Sequence, residues 1–279
     1  MKYPSYNNKK KKNMGVYHMT IKIKQRHMKK ILSLVVATLI FSGINAQSST
    51  TTTITTTGLQ KWRFGVKGTI GGSWLKSNKA GITGTTPGLQ LSGGLVIEHN
   101  LSKTVAFVTG IDISTHSGGI SFDPTSNIVL KYNGNNLDVL SRYYRFQAID
   151  IPLSLKLKTN EIGYLTYWMQ VGVMPSIMWK AEASANKYND AVAGVSEISG
   201  NDATLDIKSD TYLFRGSIIA GLGVEYNIAG STALLVGLHY VDGFTSTVSG
   251  TSSTLYVGSS PAAQALSSKY VMLTAGFLF

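Results

Sequence analysis

The feature that most constrains this chain is a two-residue alternation of side-chain character in its last segment, residues 269–279. The side chains of one parity are Val271, Leu273, Ala275, Phe277 and Phe279. Those of the other parity are Tyr270, Met272, Thr274 and Gly276. Because residues i and i+2 of a strand lie on the same face, this pattern predicts a strand with one apolar face and one face of smaller or more polar side chains.

Earlier segments repeat this alternation, so we predict an all-β fold. In the segment that starts at Trp62, the apolar parity carries no charge, and Arg63 and Lys67 lie on the other parity. The segments around Leu95 and Leu222 divide in the same way. We place eight strands at about 62–74, 88–98, 103–114, 142–157, 164–180, 212–227, 231–244 and 268–279.

The connections between these strands alternate in length. The long ones are 75–87, 115–141, 181–211 and 245–267, and the short ones are 99–102, 158–163 and 228–230. Long loops at one end, with tight turns and both termini at the other, are typical of transmembrane barrels. A soluble up-and-down barrel would also have eight strands. Alternation alone does not say which face is inside.

The spacing of aromatic residues favours the membrane. Three strands carry a pair of aromatic residues on the apolar parity, twelve residues apart: Trp62 and Trp74, Tyr167 and Trp179, and Phe214 and Tyr226. On a tilted strand this separation climbs roughly 30 Å, the distance between two membrane interfaces, where amphipathic rings accumulate. We therefore predict an eight-stranded antiparallel transmembrane β-barrel with its apolar face toward lipid and an aromatic girdle of these six residues.

Composition agrees with an all-β chain. The sequence has 29 Gly, 6 Pro and 14% charged residues, so few stretches resemble the charged faces of surface helices. It has no cysteine, which excludes disulfides and thiolate metal sites.

The net charge of +12 belongs to the leader. Residues 1–46 hold ten Lys and Arg and no acid, whereas the remainder holds sixteen Lys and Arg against fourteen Asp and Glu. This distribution argues against nucleic-acid binding.

A basic start at Met28, an apolar run from Ile31 to Phe41 and a small residue at Ala46 predict a signal peptide cleaved after Ala46. Translation is expected to start at Met28. Residues 47–60 are rich in Ser and Thr and predict a flexible tether, and the barrel domain is expected over 61–279.

The inward parity carries four cations and four acids. They are Arg63, Lys67, Lys156, Arg215, Glu98, Asp112, Asp150 and Glu225. An interior of eight strands is only wide enough for side chains, and an unpaired charge there is costly. We therefore predict a paired charge network that plugs the barrel. It should be densest toward the short turns, with Asp112 and Arg215 nearer the long-loop rim.

One hairpin resembles a known family. Residues 145–158 contain an Ile-Pro-Leu run, and residues 164–173 follow a short turn with an aromatic strand that has Gly172 near its centre. This pattern resembles the PorT-type outer-membrane β-barrel family. The resemblance implies a Gram-negative outer membrane location, contact with outer-membrane lipid including lipopolysaccharide, and a role in secretion for some members. The final Phe279, with Phe277 two residues earlier, resembles the insertion signal of such barrels, which implies the barrel-assembly machinery as a partner.

Candidate catalytic chemistry is sparse. His239 lies on the inward parity, where Ser217 and Asp112 could approach it as nucleophile and orienting carboxylate of a lipid A-modifying enzyme. A histidine hydrogen-bonded within a polar interior is the simpler interpretation. His116 is expected to be solvated just above the third strand. Pro152 and Pro175 each remove a backbone donor and are expected to cause local bulges.

The loop after Trp179 is acidic, since it holds Glu182, Asp190, Glu197, Asp202, Asp206 and Asp210. Their spacing matches no calcium loop, so we expect a solvated acidic loop, no metal and no cofactor. The favoured function is a non-enzymatic structural or interaction role, with a secretion-system protein as the expected partner. A small porin and a lipid A-modifying enzyme are the alternatives.

Overall fold

The computed structural model describes residues 60–190, 193–198, 203–248, 252–262 and 264–279. The predicted leader and all but the last residue of the predicted tether lie outside these residues. The described residues form one antiparallel sheet. Its strands are β1 (Trp62–Ser77), β2 (Ile82–Asn100), β3 (Val105–Phe122), β4 (Ile128–Tyr132), β5 (Asn135–Asp150), β6 (Leu153–Lys158), β7 (Leu165–Asp190), β8 (Gly194–Glu197), β9 (Leu205–Asp206), β10 (Phe214–Ala229), β11 (Thr232–Gly243), β12 (Leu255–Val257), β13 (Ser260–Pro261) and β14 (Leu266–Leu278). Short 3-10 helices cover Pro124–Ser126 and Lys208–Asp210. Within these described ranges, no helix has the length and apolar character needed to cross a bilayer.

The strand pairings close into a ring. β1 pairs with β2 on one side and with β14 on the other. From β2 the pairings continue through β3 to β5 and β6, which are consecutive in the chain and share one position between β3 and β7. They then pass from β7 through β10 and β11 back to β14. The ring therefore runs through eight strand positions, all antiparallel.

The register fixes the tilt of the strands. A row of directly opposed residues that starts at Trp62 passes once around the ring and meets β1 again at Gly72, ten residues further on. The row runs through His99, Phe107, Leu155, Val171, Ala220, Tyr240 and Val271. At about 3.3 Å per residue and about 4.8 Å between strands, this offset corresponds to a tilt of roughly 40°. Such a tilt is in the range of transmembrane barrels.

The apolar parity of each strand lies outside the ring. Ile70, Ile111 and Leu222 are 55%, 56% and 62% exposed, whereas Glu98 and Asp112, on the opposite parity, are 0% and 4% exposed. A soluble barrel of lipocalin type has its apolar face inside, so the structure has the opposite arrangement.

The six girdle aromatics form two rings on this outer face. All six side chains are at least 37% exposed. When the register is corrected for the tilt, Trp62, Tyr167 and Tyr226 lie within about one residue of a common level, here called the short-turn aromatic ring. Trp74, Trp179 and Phe214 lie at a second level, the long-loop aromatic ring, roughly 30 Å away. Phe277 and Phe279 are also exposed, near the short-turn aromatic ring.

All four predicted long loops contain strand residues, and 75–87 and 115–141 consist mostly of strand, which corrects the sequence interpretation. The expected loop 75–87 is reduced to residues 78–81 because β1 and β2 continue past the long-loop aromatic ring. β3, β5 and β7 also continue beyond that ring, while β10, β11 and β14 end near it. The β4–β5 turn uses Asn133 and Gly134 with φ of 47° and 80°, the left-handed geometry of a tight hairpin. The short turns lie close to their predicted positions.

The predicted proline bulges are wrong. Residues 151 and 152 separate β5 from β6, and Pro175 lies across from them on β7. The register is the same before and after this interruption, so no residue is inserted. The backbone N–H of Ile151 donates to the carbonyl of Pro175 at 2.9 Å, which preserves one bond across the gap.

The packing of glycines against the indole of Trp168, which lies inside the strand ring, can be tested. A Cβ at Gly237 would lie 2.4 Å from the Trp168 indole, whereas a Cβ at Gly72 would meet nothing within 4 Å. We expect Gly237→Val to destabilise the fold by about 1–3 kcal/mol through overpacking. Urea unfolding followed by heat-modifiable gel mobility measures this, with Gly72→Ala as the control. Equal midpoints for the two variants would contradict the packing described.

Candidate functional site

The interior at the short-turn end is built around one carboxylate, Glu98. Inward parity on β2 places it in the ring, where it is 0% exposed. It accepts hydrogen bonds from Lys158 Nζ at 2.6 Å, Lys156 Nζ at 2.8 Å and Arg63 Nη1 at 3.2 Å. Arg63 lies on β1, and Lys156 and Lys158 lie on β6. Because β3 separates β6 from β2, the two lysine contacts join strands that are not neighbours in the ring.

Glu225 on β10 completes this short-turn network. It accepts from Arg63 Nη1 at 2.7 Å and also pairs with Lys156. Two acids therefore share three cations, Arg63, Lys156 and Lys158. Lys158 was missed at the sequence level because the strand was ended at 157, although the residue shares the inward parity of Lys156. The indole of Trp168 lies 5.1 Å from Lys156 Nζ and contributes a cation–π contact.

A separate ion pair lies nearer the middle of the barrel. Lys67 Nζ contacts Asp112 Oδ2 at 2.8 Å, and both side chains are nearly buried. Asp112 was expected nearer the long-loop rim than the rest of the network. It lies four residues further along β3 than Val108, the residue opposite Glu98, and the strand tilt brings it within reach of Lys67. The other carboxylate oxygen, Oδ1, has no partner among the described residues.

A third set of contacts surrounds Arg215 on β10. Its Nη2 donates to Ser176 Oγ at 3.2 Å and reaches Asp150 Oδ1 at 3.5 Å, and its Nη1 contacts His116 Nε2 at 2.8 Å. Asp150 and Arg215 were both predicted as members of the network. His116 was expected in solvent, and this is wrong: it is 1% exposed and packs against Phe146. β3 continues past residue 114, so the inward parity of Asp112 extends to His116.

Above these charges the ring is filled by a hydrophobic cluster. We call it the cap core; its fully buried large members are Ile120, Leu130, Tyr144, Phe146, Met178, Ile207, Leu255 and Leu266. It draws side chains from β3, β4, β5 and β7, from the connection between β9 and β10, and from β12 and the start of β14. Every predicted long connection contributes to it, so these segments pack together rather than extend into solvent.

Buried polar groups join the segments of the cap. The fully buried Arg142 donates from Nε to Asn186 Oδ1 at 2.7 Å and from its terminal nitrogens to Thr254 Oγ1 at 3.1 Å. The carboxylate of Asp210 accepts from Ser252 Oγ at 2.9 Å and from the backbone N–H of Ser253. Asp210 is 2% exposed, so its assignment to a solvated acidic loop is wrong. Asp202 lies outside the described residues.

The candidate catalytic trio is not brought together. His239 Nε2 contacts Gln170 at 2.9 Å, and its Nδ1 contacts Thr274 at 2.9 Å. Asp112 is paired with Lys67, and Ser217 Oγ has no partner in the described part of the chain. His239 is therefore held by neutral groups within a polar interior. In the same described ranges, no group of three or more His, Asp or Glu side chains is placed to hold a metal ion.

Comparisons with known proteins agree with this architecture. A family model described as "Outer membrane protein beta-barrel domain" matches residues 45–249, more than half of the chain. No curated protein matches it in sequence.

Several solved structures are similar at low sequence identity. OprG from Pseudomonas aeruginosa is 13% identical, with 80% of this chain and 98% of that chain covered and a TM-score of 0.40. Neisserial surface protein A is 12% identical, with 77% and 95% covered and a TM-score of 0.37. Ail of Yersinia pestis is 12% identical, with 79% and 100% covered and a TM-score of 0.32.

Removal of the central acid should destabilise the ring. Glu98→Gln keeps the side-chain shape but leaves Lys156, Lys158 and Arg63 with one carboxylate between them, so we expect a loss of about 3–5 kcal/mol of unfolding free energy. Glu225→Ala should act in the same direction. The exposed Glu197 on β8 supplies the control, Glu197→Gln, which should change little. Urea unfolding of the protein in detergent measures all three, and a Glu98→Gln variant as stable as the control would exclude a structural role for the network.

Proposed function

We propose a specific role for this chain, which belongs to the outer membrane protein beta-barrel domain family. It is an eight-stranded transmembrane β-barrel with a closed interior and a non-enzymatic role at the cell surface. Family membership implies the outer membrane of a Gram-negative cell. The observation that carries the proposal is the filling of the interior at successive levels by paired charges and then by the cap core.

The closed interior argues against a porin. The short-turn network of Arg63, Glu98, Lys156, Lys158 and Glu225 occupies one end of the ring. An eight-stranded ring is only wide enough for its own side chains, so a network across it leaves little room for solute. Passage would require several buried ion pairs to separate at once, at a cost of several kcal/mol each.

The unequal connections at the two ends of the ring support an orientation. Tight turns typically face the periplasm and elaborated connections face the outside. The short-turn aromatic ring then lies at the periplasmic interface, and the cap core lies outside the cell. Export to this membrane would use the predicted signal peptide, with cleavage near Ala46.

The cap is the part of the barrel best placed to meet a partner. Buried contacts such as Arg142 with Asn186 and Asp210 with Ser252 hold segments from different connections in one arrangement. A preorganised surface loses less conformational entropy on binding than free loops would. This supports a structural or interaction role in secretion or surface display, of the kind associated with the PorT-type family, with a secretion-system protein as the partner.

Two further partners follow from a barrel of this type. The exposed apolar belt is expected to contact outer-membrane lipid, including lipopolysaccharide. The barrel-assembly machinery is expected to act during insertion, with Phe277 and Phe279 on β14 as its recognition signal. No cofactor and no nucleic acid have a place in the proposal. A lipid A-modifying activity through His239 has less support, because its neighbours are Gln170 and Thr274.

Conductance tests the closed interior. The mature protein, refolded and inserted into a planar bilayer, should give no steady openings of porin size, because the ion pairs and the cap core fill the ring. A porin inserted under the same conditions serves as the positive control for insertion. Steady openings from the wild-type protein would overturn the closed interior and make a small porin the better assignment.

Cysteine labelling tests the orientation, since the chain has no natural cysteine. Val195 on β8 and Ile162 in a short turn are 65% and 64% exposed, so they form a matched pair. On intact cells, Val195→Cys should react with a membrane-impermeant maleimide and Ile162→Cys should react only after the outer membrane is permeabilised. The opposite result would invert the barrel.

A further inference from the structure

The strand β7 contains a bulge at the level of the long-loop aromatic ring. Met178 lies opposite Ala148 and Lys180 lies opposite Gln147, so Trp179 is one extra residue on β7. A bulge of this kind re-aims neighbouring side chains. Trp179 is 50% exposed and the side chain of Lys180 is 53% exposed, so an indole and an ammonium group stand next to each other on the outer face.

The bulge is held in place from the other side of β7. The N–H of Met178 donates to the carbonyl of Leu213 at 2.8 Å, and its carbonyl accepts a hydrogen bond from Lys208 Nζ at 2.5 Å. A half-buried lysine is therefore fixed beside the two exposed residues. Bulges supported in this way are structural features of a fold rather than irregularities.

Another cation completes the group. Arg145 is exposed on β5, directly opposite Glu182 of β7. Glu182 pairs with Lys180 at 2.5 Å, and Arg145 forms no ion pair with another described residue. The bulge patch, defined here as Arg145, Trp179, Lys180, Glu182 and Lys208, therefore carries three cations and one acid. A second acid, Asp206 on β9, lies opposite Glu182 at the edge of the patch, on the side of β7 away from Arg145.

The patch differs from the rest of the long-loop aromatic ring. On β14, Lys269 is neutralised by Asp242. On β1, Lys76 is exposed near Trp74, but it stands three strand positions away from Arg145. Clustered positive charge at this level is thus confined, among the described residues, to the side of the barrel formed by β5 and β7.

We propose that the bulge patch binds the phosphate group of an outer-leaflet lipid. This inference rests on the proposed orientation, in which the long-loop aromatic ring lies at the outer membrane interface. Arg145 and Lys180 stand within about two residues of that ring, at the depth of lipid headgroups. Guanidinium and ammonium groups bind phosphate through charge-assisted hydrogen bonds, and an interfacial indole packs along the adjoining acyl region. The position on the lipid-facing surface favours a lipid headgroup over free phosphate.

Native mass spectrometry of the mature protein in a neutral detergent tests this site, with diphosphoryl lipid A as the probe. The double variant Arg145→Gln/Lys180→Gln should bind the lipid at least about fivefold more weakly than the wild type. The charge-conserving variant Arg145→Lys/Lys180→Arg should retain most of the binding. The control, Lys61→Gln/Lys103→Gln, removes two exposed lysines at the short-turn end and should bind like the wild type.

Three outcomes would overturn the proposal. They are undiminished binding by the Arg145→Gln/Lys180→Gln variant, an equal loss in the control, and complete displacement of the lipid by the same concentration of inorganic phosphate. Heat-modifiable mobility establishes that each variant is folded. Inverted cysteine labelling would instead count against the orientation itself, so the two failures are distinguishable.

Discussion

The structure depends on the closure of β1 on β14. In a bilayer every backbone N–H and C=O must be satisfied within the protein, so a sheet that crosses lipid cannot have a free edge. Closure with a ten-residue offset tilts the strands and determines which side chains meet inside. Lys67 therefore faces Asp112, and Arg63 reaches both Glu98 and Glu225. The offset turns a simple alternation in sequence into a specific set of ion pairs.

These ion pairs offset the cost of burying charge inside a narrow ring. Charges excluded from the lipid-facing parity must lie inside, where solvation is poor and an unpaired charge is costly. Glu98 is surrounded by three cations and is completely buried. At the other end the cap core supplies apolar packing, and two buried charged groups there, Arg142 and Asp210, are hydrogen-bonded to side chains of neighbouring segments. The interior thus changes from mainly ionic to mainly hydrophobic along its length.

Much of the transmembrane part could be predicted from the sequence. A strand with one apolar face alternates apolar and polar side chains, and this two-residue period is visible in the sequence. The paired inward charges follow from the same parity. The cap could not be predicted in this way. β5 shifts register between Val139 and Tyr143, and such shifts change which parity points inward. His116 and Lys158 were missed for a simpler reason, since their strands continue beyond the points where the apolar alternation fades. Asp210 shows that composition alone cannot separate a solvated acidic loop from one with a buried, hydrogen-bonded carboxylate.

A double-mutant cycle on Lys67 and Asp112 tests the central claim most directly, that the charges inside the ring below the cap core are neutralised in specific pairs. This pair makes one contact and shares no partner with the short-turn network. Unfolding free energies of Lys67→Met, Asp112→Asn and the double variant in detergent should give a coupling energy of about 1–3 kcal/mol, with the double variant more stable than the sum of the single changes implies. Strict additivity would mean that the two charges are solvated independently and that the interior is an aqueous space.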